Sequence, residues 1–327
     1  MKAMWIGGAA LGLALGLWVS CGGDDSGTPD GGDTAGGDGD TAGGCVRTDE
    51  CHQGFRCNAG TCVLALPALD ELPADLSCVG DNPPIEPLGT TVSATVYVED
   101  FEDEVRVEGA VVEIFLDNIV DDTPDLTTDP TDENGEVPGG VAGLPARGVI
   151  AYLVHAGDLP GGMVRTTIEY DVEIPDADGG EVRLLSVSDT TYRLIPTVLG
   201  ITPDASHGII AGEFGDCAAD PVSVEGIVAR LVNAAGEDCH ELNDRECYSR
   251  YFQEETPARI DSQPYSSADG LYAIAQVAPG PWDLQVLGRL TAAATDFPFD
   301  LLGQKRVNCI ADSIVIVDVN PLAEPVP

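Results

Sequence analysis

The most restrictive feature of the sequence is a series of short runs in which apolar and polar residues alternate. Five runs show this period of two: Ser93–Val98, Val111–Leu116, Val149–Val154, Val164–Val172 and Val182–Val187. Gly, Pro, Asp and Asn separate them, and these are the residues that turns prefer. Helical periodicity is confined to one short stretch, ELNDRECYSRYFQEE. The pattern predicts an all-β chain with, at most, one short helix.

A motif within this region occurs twice, which indicates a duplication. VEGAVVEIFL begins at Val107, and VEGIVARLV begins at Val224. Each is followed by a turn signal, Asp132–Gly135 in the first copy and Ser267–Gly270 in the second, and then by a Pro/Gly corner and another strand. The second copy carries an insertion at residues 237–260. Repetition of this kind predicts two β-sandwiches in tandem, at residues 86–203 and 204–322.

The second copy contains further motifs of a known type. These are Gly212–Asp216, Pro221–Val222, Asp269–Tyr272 and Ala278–Val286. They resemble the carboxypeptidase regulatory-like domain, a small transthyretin-like or Ig-like sandwich. The resemblance implies that Trp282, Leu284 and Val286 alternate into a core. It also implies an accessory module without catalytic residues, and a shared fold says little about function.

The N-terminus reads as a targeting segment. The apolar run Met4–Val19 follows Lys2, is interrupted by glycines, and is too short for a membrane span. It ends in Val19-Ser20-Cys21, which resembles the lipobox of bacterial lipoproteins. The resemblance implies a signal peptide at residues 1–20 and a lipid on Cys21, so that the chain is exported and reaches the membrane through that anchor. The alternative is an ordinary secretory signal, with Cys21 as one more disulfide partner.

Residues 21–44 are expected to form a lipidated, disordered tether, because they hold ten glycines and six aspartates and no large apolar residue. Gly22, the residue after the lipidated cysteine, favours the outer membrane by analogy with enterobacterial sorting. The whole chain has 15 basic and 56 acidic residues, a net charge of −41. Such a surface repels nucleic acid, which excludes functions that follow a phosphate backbone.

The sequence has ten cysteines, and in an exported chain these predict disulfides. The first four after the tether lie within residues 45–62 and resemble the short cysteine-rich knots of extracellular myxobacterial proteins. Of the three possible pairings, we favour the interleaved one, Cys45–Cys57 with Cys51–Cys62. A zinc site that includes His52 is the alternative.

The remaining cysteines are spread over the linker at residues 63–85 and the second sandwich. We predict a local bond, Cys239–Cys247, across the insertion. We also predict Cys217–Cys309, which would join the first and last strands of the second sandwich. Cys78, in the linker, is then left free or bonded to another molecule.

Motifs for enzymatic chemistry are missing. None of the four histidines belongs to an HExxH motif, and no GxSxG elbow occurs, so we expect a protein that is not an enzyme. No cofactor is expected except calcium. Eight acidic residues lie between Asp117 and Glu136, and hard cations prefer several such oxygens. The calcium ligands would be Asp121, Asp125, Asp129 and Asp132; the alternative is a solvated acidic loop.

Together these features predict an envelope-anchored lipoprotein that acts as a surface or periplasmic scaffold or binding module. Its partner would be an envelope protein or a polysaccharide. The alternative function is an accessory protein that docks polysaccharide or peptide for a separate enzyme. An exposed aromatic row would favour that alternative, with Tyr248, Tyr251 and Phe252 as candidates, whereas a polar face would favour the scaffold.

Overall fold

The computed structural model describes residues 45–51, 53–66, 75–79, 87–198, 200–202, 204–217, 222–242, 247–253, 256–257, 263–290 and 300–319. All of these belong to one compact unit. Strands dominate it, as the alternating pattern predicted, so the all-β class is confirmed. Near the N-terminus, the knot consists of a 3₁₀ turn at Thr48–Glu50 and a hairpin of β1 (Phe55–Asn58) and β2 (Thr61–Leu64).

The first copy of the repeat forms eight strands, and they include all five runs predicted from the sequence. They are β3 (Thr91–Asp100), β4 (Val112–Phe115), β5 (Leu126–Thr127), β6 (Val141–Pro145), β7 (Val149–Val154), β8 (Gly157–Leu159), β9 (Gly162–Glu173) and β10 (Gly180–Ser188). One sheet has the order β6-β3-β10, with β10 parallel to β3, and the facing sheet has the order β5-β4-β7-β9. Alternate side chains of both sheets meet in a buried core that includes Val98, Ile114 and Tyr152.

The second copy forms another eight strands and a short helix. They are β11 (Gly208–Glu213), β12 (Val228–Val232), α2 (Cys239–Leu242), β13 (Ser249–Gln253), β14 (Thr256–Pro257), β15 (Leu271–Val277), β16 (Gly280–Gly288), β17 (Asp300–Cys309) and β18 (Ser313–Ile316). Its sheets are β14-β13-β15-β11-β18 and β12-β16-β17. Strands β15-β11-β18 repeat the order β6-β3-β10, and β18 is again parallel to β11. Strands β12-β16-β17 repeat β4-β7-β9, so the two copies share one topology.

The duplicated turns have the same geometry. Gly135 and Gly270 both have positive φ, at +70° and +65°. A Cβ atom at Gly135 would lie 2.8 Å from the carbonyl oxygen of Val98, and one at Gly270 would lie 2.7 Å from that of Phe214. Both positions therefore need glycine, for conformation and for space.

The two sandwiches are joined edge to edge. Strand β18 pairs in parallel with β9, with Ile314 opposite Thr167 and Val315 opposite Ile168. Because of this pairing, one sheet continues from the first sandwich into the second. The outward face of the first sandwich also contributes to the core of the second through the buried residues Phe115, Ala151, Leu153, Ile168 and Tyr170.

The helices differ from the prediction. The sequence pattern missed α1 (Asp189–Val198), which begins where the Ser188 hydroxyl accepts the N–H of Thr191 and ends just after Pro196. Tyr192 of α1 packs against Ile209 and Ile314. The short helix predicted in ELNDRECYSRYFQEE is present only at its start among the described residues: α2 ends at Leu242, and Ser249–Gln253 pairs with β15 as β13.

Candidate functional site

The knot has the predicted interleaved disulfides, Cys45–Cys57 and Cys51–Cys62. Three of its sulfur atoms form the only cluster of metal-ligand type among the described residues, but all three are in disulfides. His52, the zinc ligand of the alternative interpretation, lies outside the described residues, as does Cys21.

The knot packs on the second sandwich, although the first sandwich follows it in sequence. Leu66 is buried in a small apolar cluster with Val228 and Leu287. An Nη atom of Arg289 donates to the Leu66 carbonyl at 3.3 Å. Gly226, the glycine of the second VEG motif, lies under the Leu66 side chain. The end of the knot hairpin, at Leu64, and the first linker residues therefore pack on the outside of the second sandwich.

The linker is bonded covalently to the same sandwich. Cys78 forms a disulfide with Cys217, which follows β11. Nearby, the backbone N–H of Cys217 donates to the Asp75 carbonyl at 2.7 Å, and the Asp75 N–H donates to the Asp216 carboxylate at 3.1 Å. The bond closes a loop that contains the whole first sandwich.

This linkage makes the predicted Cys217–Cys309 bond wrong, and with it the prediction that Cys78 is the odd cysteine. Of the described cysteines, Cys309 is the free one instead, and it is buried. Its sulfur atom lies against Gly208, at the start of β11, whereas Cys217 lies beyond the other end of that strand. A six-residue strand is about 20 Å long, far more than a disulfide can span. The predicted local bond, Cys239–Cys247, is present.

The acidic loop of the first sandwich does not gather its carboxylates. Several of them accept nearby backbone N–H groups instead: Asp121 from Thr123, Asp125 from Leu116, and Asp132 from Asn134 and Glu136. The two backbone bonds lower the pKa of Asp132. Among the described residues, no three of Asp121, Asp125, Asp129 and Asp132 converge as metal ligands would. Calcium binding by this loop stays a prediction.

The three described histidines lie far apart in the sequence and have different surroundings. His155 pairs with Glu113 at 3.0 Å on the surface. His207 contacts both Ser206 and Asp204 through the same atom, Nδ1, within one turn, so it cannot relay a proton between them. His240 is buried edge-on against Tyr248. The structure brings none of them together.

The aromatic residues proposed as a carbohydrate platform are mostly internal. Tyr248 and Tyr251 are fully buried, and Phe252 is half-buried. The Tyr251 hydroxyl accepts the N–H of Ala229 and so supports β12. Trp282 is buried as predicted, with its Nε1–H donated to the Ala278 carbonyl at 2.9 Å. The structure therefore uses these rings for packing.

Two of the polar contacts between the sandwiches involve strands β9 and β17, and sequence reasoning found neither. Lys305 Nζ lies 2.8 Å from Asp171 Oδ1, between β17 and β9, and the Asn118 side chain holds the same carboxylate. The Tyr170 hydroxyl accepts the N–H of Asn308 at 2.8 Å. The one available signal was that Lys305 is the single lysine after the predicted signal peptide.

A third polar group lies in the first sandwich beside this junction. The hydroxyl of Tyr152, which is fully buried, contacts the Glu169 carboxyl and both the N–H and the C=O of Leu185. Burial raises the pKa of Glu169 to about 7, and the charge of Asp318 adds to this, whereas Tyr152 and Arg183 lower it. Burial also raises the pKa of Tyr152 well above its usual value.

The outward face of the second sandwich is polar where the equivalent face of the first is apolar. Its three strands carry two cross-strand rows. In one, Arg230 Nε donates to Gln285, and Gln285 donates to Gln304. In the other, Arg306 makes two hydrogen bonds to Asp283, at 2.7 and 2.9 Å.

No protein-family model matches the sequence, and no curated protein matches it. Among solved structures, the chain is similar to the minor pilin GBS52 of Streptococcus agalactiae, at 12% identity over 72% of this chain and 98% of that one, with a TM-score of 0.23. The shaft pilin SpaA of Lactobacillus rhamnosus GG has 12% identity, 72% and 99% coverage and a TM-score of 0.20.

The TIE protein of Bacillus anthracis has 11% identity over 71% of this chain, with a TM-score of 0.23. This chain spans 34% of the length of that protein. Scores of this size are too low to carry an inference about this chain. Among the described residues, no helix is long and apolar enough to cross a membrane.

Proposed function

We propose that this chain is a non-enzymatic, lipid-anchored scaffold of the cell envelope. In this proposal the second sandwich is the mount, the domain that is held next to the anchor, and the first sandwich is presented outward. The observation that carries the proposal is the Cys78–Cys217 disulfide. Because of it, the segment that follows the knot is bonded covalently to the second sandwich, on which Leu66 also packs. Load from the anchor then enters the second sandwich without passing through the first.

The polar outward face of the second sandwich supports a scaffold rather than a polysaccharide platform. Arg230, Gln285 and Gln304 form a hydrogen-bonded row there, whereas sugar-binding faces rely on exposed aromatic rings. Of the described aromatic residues, Phe101 alone ranks among the exposed large apolar side chains. No described feature favours the alternative function of docking polysaccharide or peptide for an enzyme.

Anchoring is tested by the Cys21→Ala variant in cells fed a radiolabelled fatty acid. Wild type should carry the label and enter the detergent phase, and the variant should do neither. Ser26→Ala, in the same predicted tether, is the matched control and should behave as wild type. Retention of Cys21→Ala with the membrane would overturn the lipid anchor.

The orientation is tested with epitope tags in two exposed turns. One tag follows Gly161, in the β8–β9 hairpin of the first sandwich, and the other follows Ala235, in the turn after β12 of the second. On intact envelopes, antibody should reach the first tag more readily, and detergent should make the two equal. Equal access before detergent would contradict the mount without affecting the anchor.

A further inference from the structure

The Tyr152 hydroxyl has more hydrogen-bond contacts than one proton can serve unless Glu169 is protonated. A hydroxyl donates one hydrogen bond and accepts two. The Leu185 N–H donates to the Tyr152 oxygen, and the Leu185 C=O lies 3.0 Å from it. If the hydroxyl proton goes to this carbonyl, the Glu169 carboxyl needs a proton of its own to bond the Tyr152 oxygen.

An ionised Glu169 would leave the Leu185 carbonyl without its hydrogen bond from Tyr152. The Tyr152 hydroxyl would donate to the carboxylate instead. The Leu185 carbonyl, in a half-buried residue, points away from β3, because the neighbouring Ser186 carbonyl is the one that faces β3, where it accepts the N–H of Phe101. Loss of a donor at a part-buried acceptor costs free energy, so the full set of contacts requires the protonated carboxyl.

Burial of Glu169 outweighs the three groups that favour its ionised form, which are the Tyr152 hydroxyl, Arg183 and the Leu185 N–H. Tyr152 faces it from β7, Arg183 from β10, and Asp318 from the segment after β18. Arg183 is already shared with Glu99, at 3.3 Å, and Asp318 brings a second negative charge. On its own strand, Asp171 is bonded to Lys305 and Asn118. Protonation is therefore the natural response of this site.

The position of Glu169 connects this proton to the joint between the sandwiches. Glu169 lies opposite Ile316 of β18 on one edge of β9 and opposite Tyr152 of β7 on the other. The Leu185 contact ties the same point to β10. We propose that Glu169, Tyr152 and Leu185 form a proton-dependent latch, which closes the meeting point of β7, β9, β10 and β18 when Glu169 is protonated and loosens it when Glu169 ionises.

The direction of the pH effect follows from the raised pKa of Glu169, about 7 in the folded chain against 4.5 for the ordinary group. A carboxyl with a raised folded pKa adds stability that is complete below the unfolded value and lost as the pH rises through the folded value. The latch should therefore be closed at pH 5 and open at pH 8. Glu169 keeps part of its surface accessible to water, so its midpoint should lie at or below 7.

The test uses the whole exported chain and follows Tm from pH 5 to pH 8.5 for wild type and Glu169→Gln. A glutamine amide can donate to the Tyr152 oxygen at any pH, so this variant keeps the latch closed. Between pH 5 and pH 8.5, the Tm of wild type should fall by at least ~3 °C more than the Tm of Glu169→Gln. The matched control, Glu173→Gln, changes an exposed glutamate on the same strand and should follow wild type.

Two local measurements keep the proposal open to disproof. The ¹³C shift of the Glu169 carboxyl should titrate between pH 6 and 7, and amide exchange at Leu185 should speed up over the same range in wild type alone. Tyr152→Phe should also abolish the pH dependence, and Glu169→Gln makes the same test without removing a buried hydroxyl group. A Glu169 that titrates below pH 5, or parallel Tm curves for wild type and Glu169→Gln, would overturn the latch.

Discussion

Thr131 and Ser266 occupy the same place in the two sandwiches and make the same four hydrogen bonds. The Thr131 hydroxyl donates to the Val107 carbonyl at 2.6 Å, and the Ser266 hydroxyl donates to the Val224 carbonyl at 2.7 Å. Each oxygen also accepts the N–H that follows its VEG glycine, at 2.9 Å in both copies. The backbone N–H of each residue donates to the carbonyl that follows its VEG glycine, and the backbone C=O of each residue accepts the N–H of that glycine.

Loss of either hydroxyl should destabilise its sandwich. Thr131→Ala or Ser266→Ala would leave a buried carbonyl and a buried N–H without partners, at a cost of about 1–3 kcal/mol. The exchange Thr131→Ser should cost less than 1 kcal/mol on the same reasoning, roughly a lost methyl group. Urea unfolding measures these differences, with Thr127→Ala, at an exposed position, as the control. An alanine that costs no more than this control would show that water replaces the hydroxyl.

The Cys78–Cys217 disulfide should contribute more stability than the local disulfides. It joins residues 139 apart, and a loop of that length restricts the unfolded chain by about 5 kcal/mol in the loop-entropy model. The double variant Cys78→Ser/Cys217→Ser should therefore lose several degrees in Tm and become sensitive to protease in the linker. Cys309→Ala is the control that leaves all four disulfides in place, and it should not expose the linker.

Peptide mapping checks the same pairing directly. Non-reducing digestion should give a Cys78–Cys217 peptide, and Cys309 should resist alkylation until the chain unfolds. Burial raises the pKa of the Cys309 thiol to about 12, so little reactive thiolate forms in the folded protein. A Cys217–Cys309 peptide would contradict the structure and remove the basis of the mount.

The strands and the duplication could be predicted because short, contiguous stretches of the sequence determine both. Val149–Val154 is a short, continuous apolar run of strand length, and its bounds in the structure are the predicted ones. The glycines at 135 and 270 mark turns that only glycine fits. Local cysteine pairs were also predictable, since Cys239 and Cys247 can reach each other in almost any fold of the insertion.

Features that depend on which surfaces meet could not be predicted. Helix α1 was missed because Thr190, Thr191 and Pro196 are poor helix formers, and the helix owes its place to packing on β11 and β18. The partner of Cys217 depends on where the knot docks, and the knot docks on a sandwich distant in sequence. Nothing in the runs at β9 and β18 indicates that these two edges pair.

The ion pair between Lys305 and Asp171 should stabilise the joint between the sandwiches. The Lys305 side chain is 10% exposed and that of Asp171 is 37% exposed, so solvent screens the pair only in part. Lys305→Met should cost about 1–3 kcal/mol, because Asp171 would keep a charge that Asn118 alone bonds. In a double-mutant cycle with Asp171→Asn, the two losses should not add, since both remove one interaction. Additive losses would show that each residue acts independently of the other.

The polar outward face of the second sandwich should keep the chain from stacking. Five outward positions of the first sandwich have equivalents there, and the pairs are Phe115 and Val232, Ala151 and Asp283, Leu153 and Gln285, Ile168 and Gln304, and Tyr170 and Arg306. In repeat proteins, a polar outer face on the last repeat prevents further association. The five residues of the first sandwich are apolar and buried, whereas four of the five in the second, all but Val232, are polar.

Transfer of the first face onto the second tests this role. The variant Asp283→Ala/Gln285→Leu/Gln304→Ile/Arg306→Tyr places the apolar residues on the outward face and exposes a contiguous apolar patch. It should form concentration-dependent oligomers in light scattering, at a salt concentration where wild type stays monomeric. The matched control, Asp283→Asn/Arg306→Gln, removes the charges but keeps the face polar, and it should remain monomeric. Oligomers of the control would assign the effect to the loss of charge, and a monomeric graft would show that the polar rows do not keep copies apart.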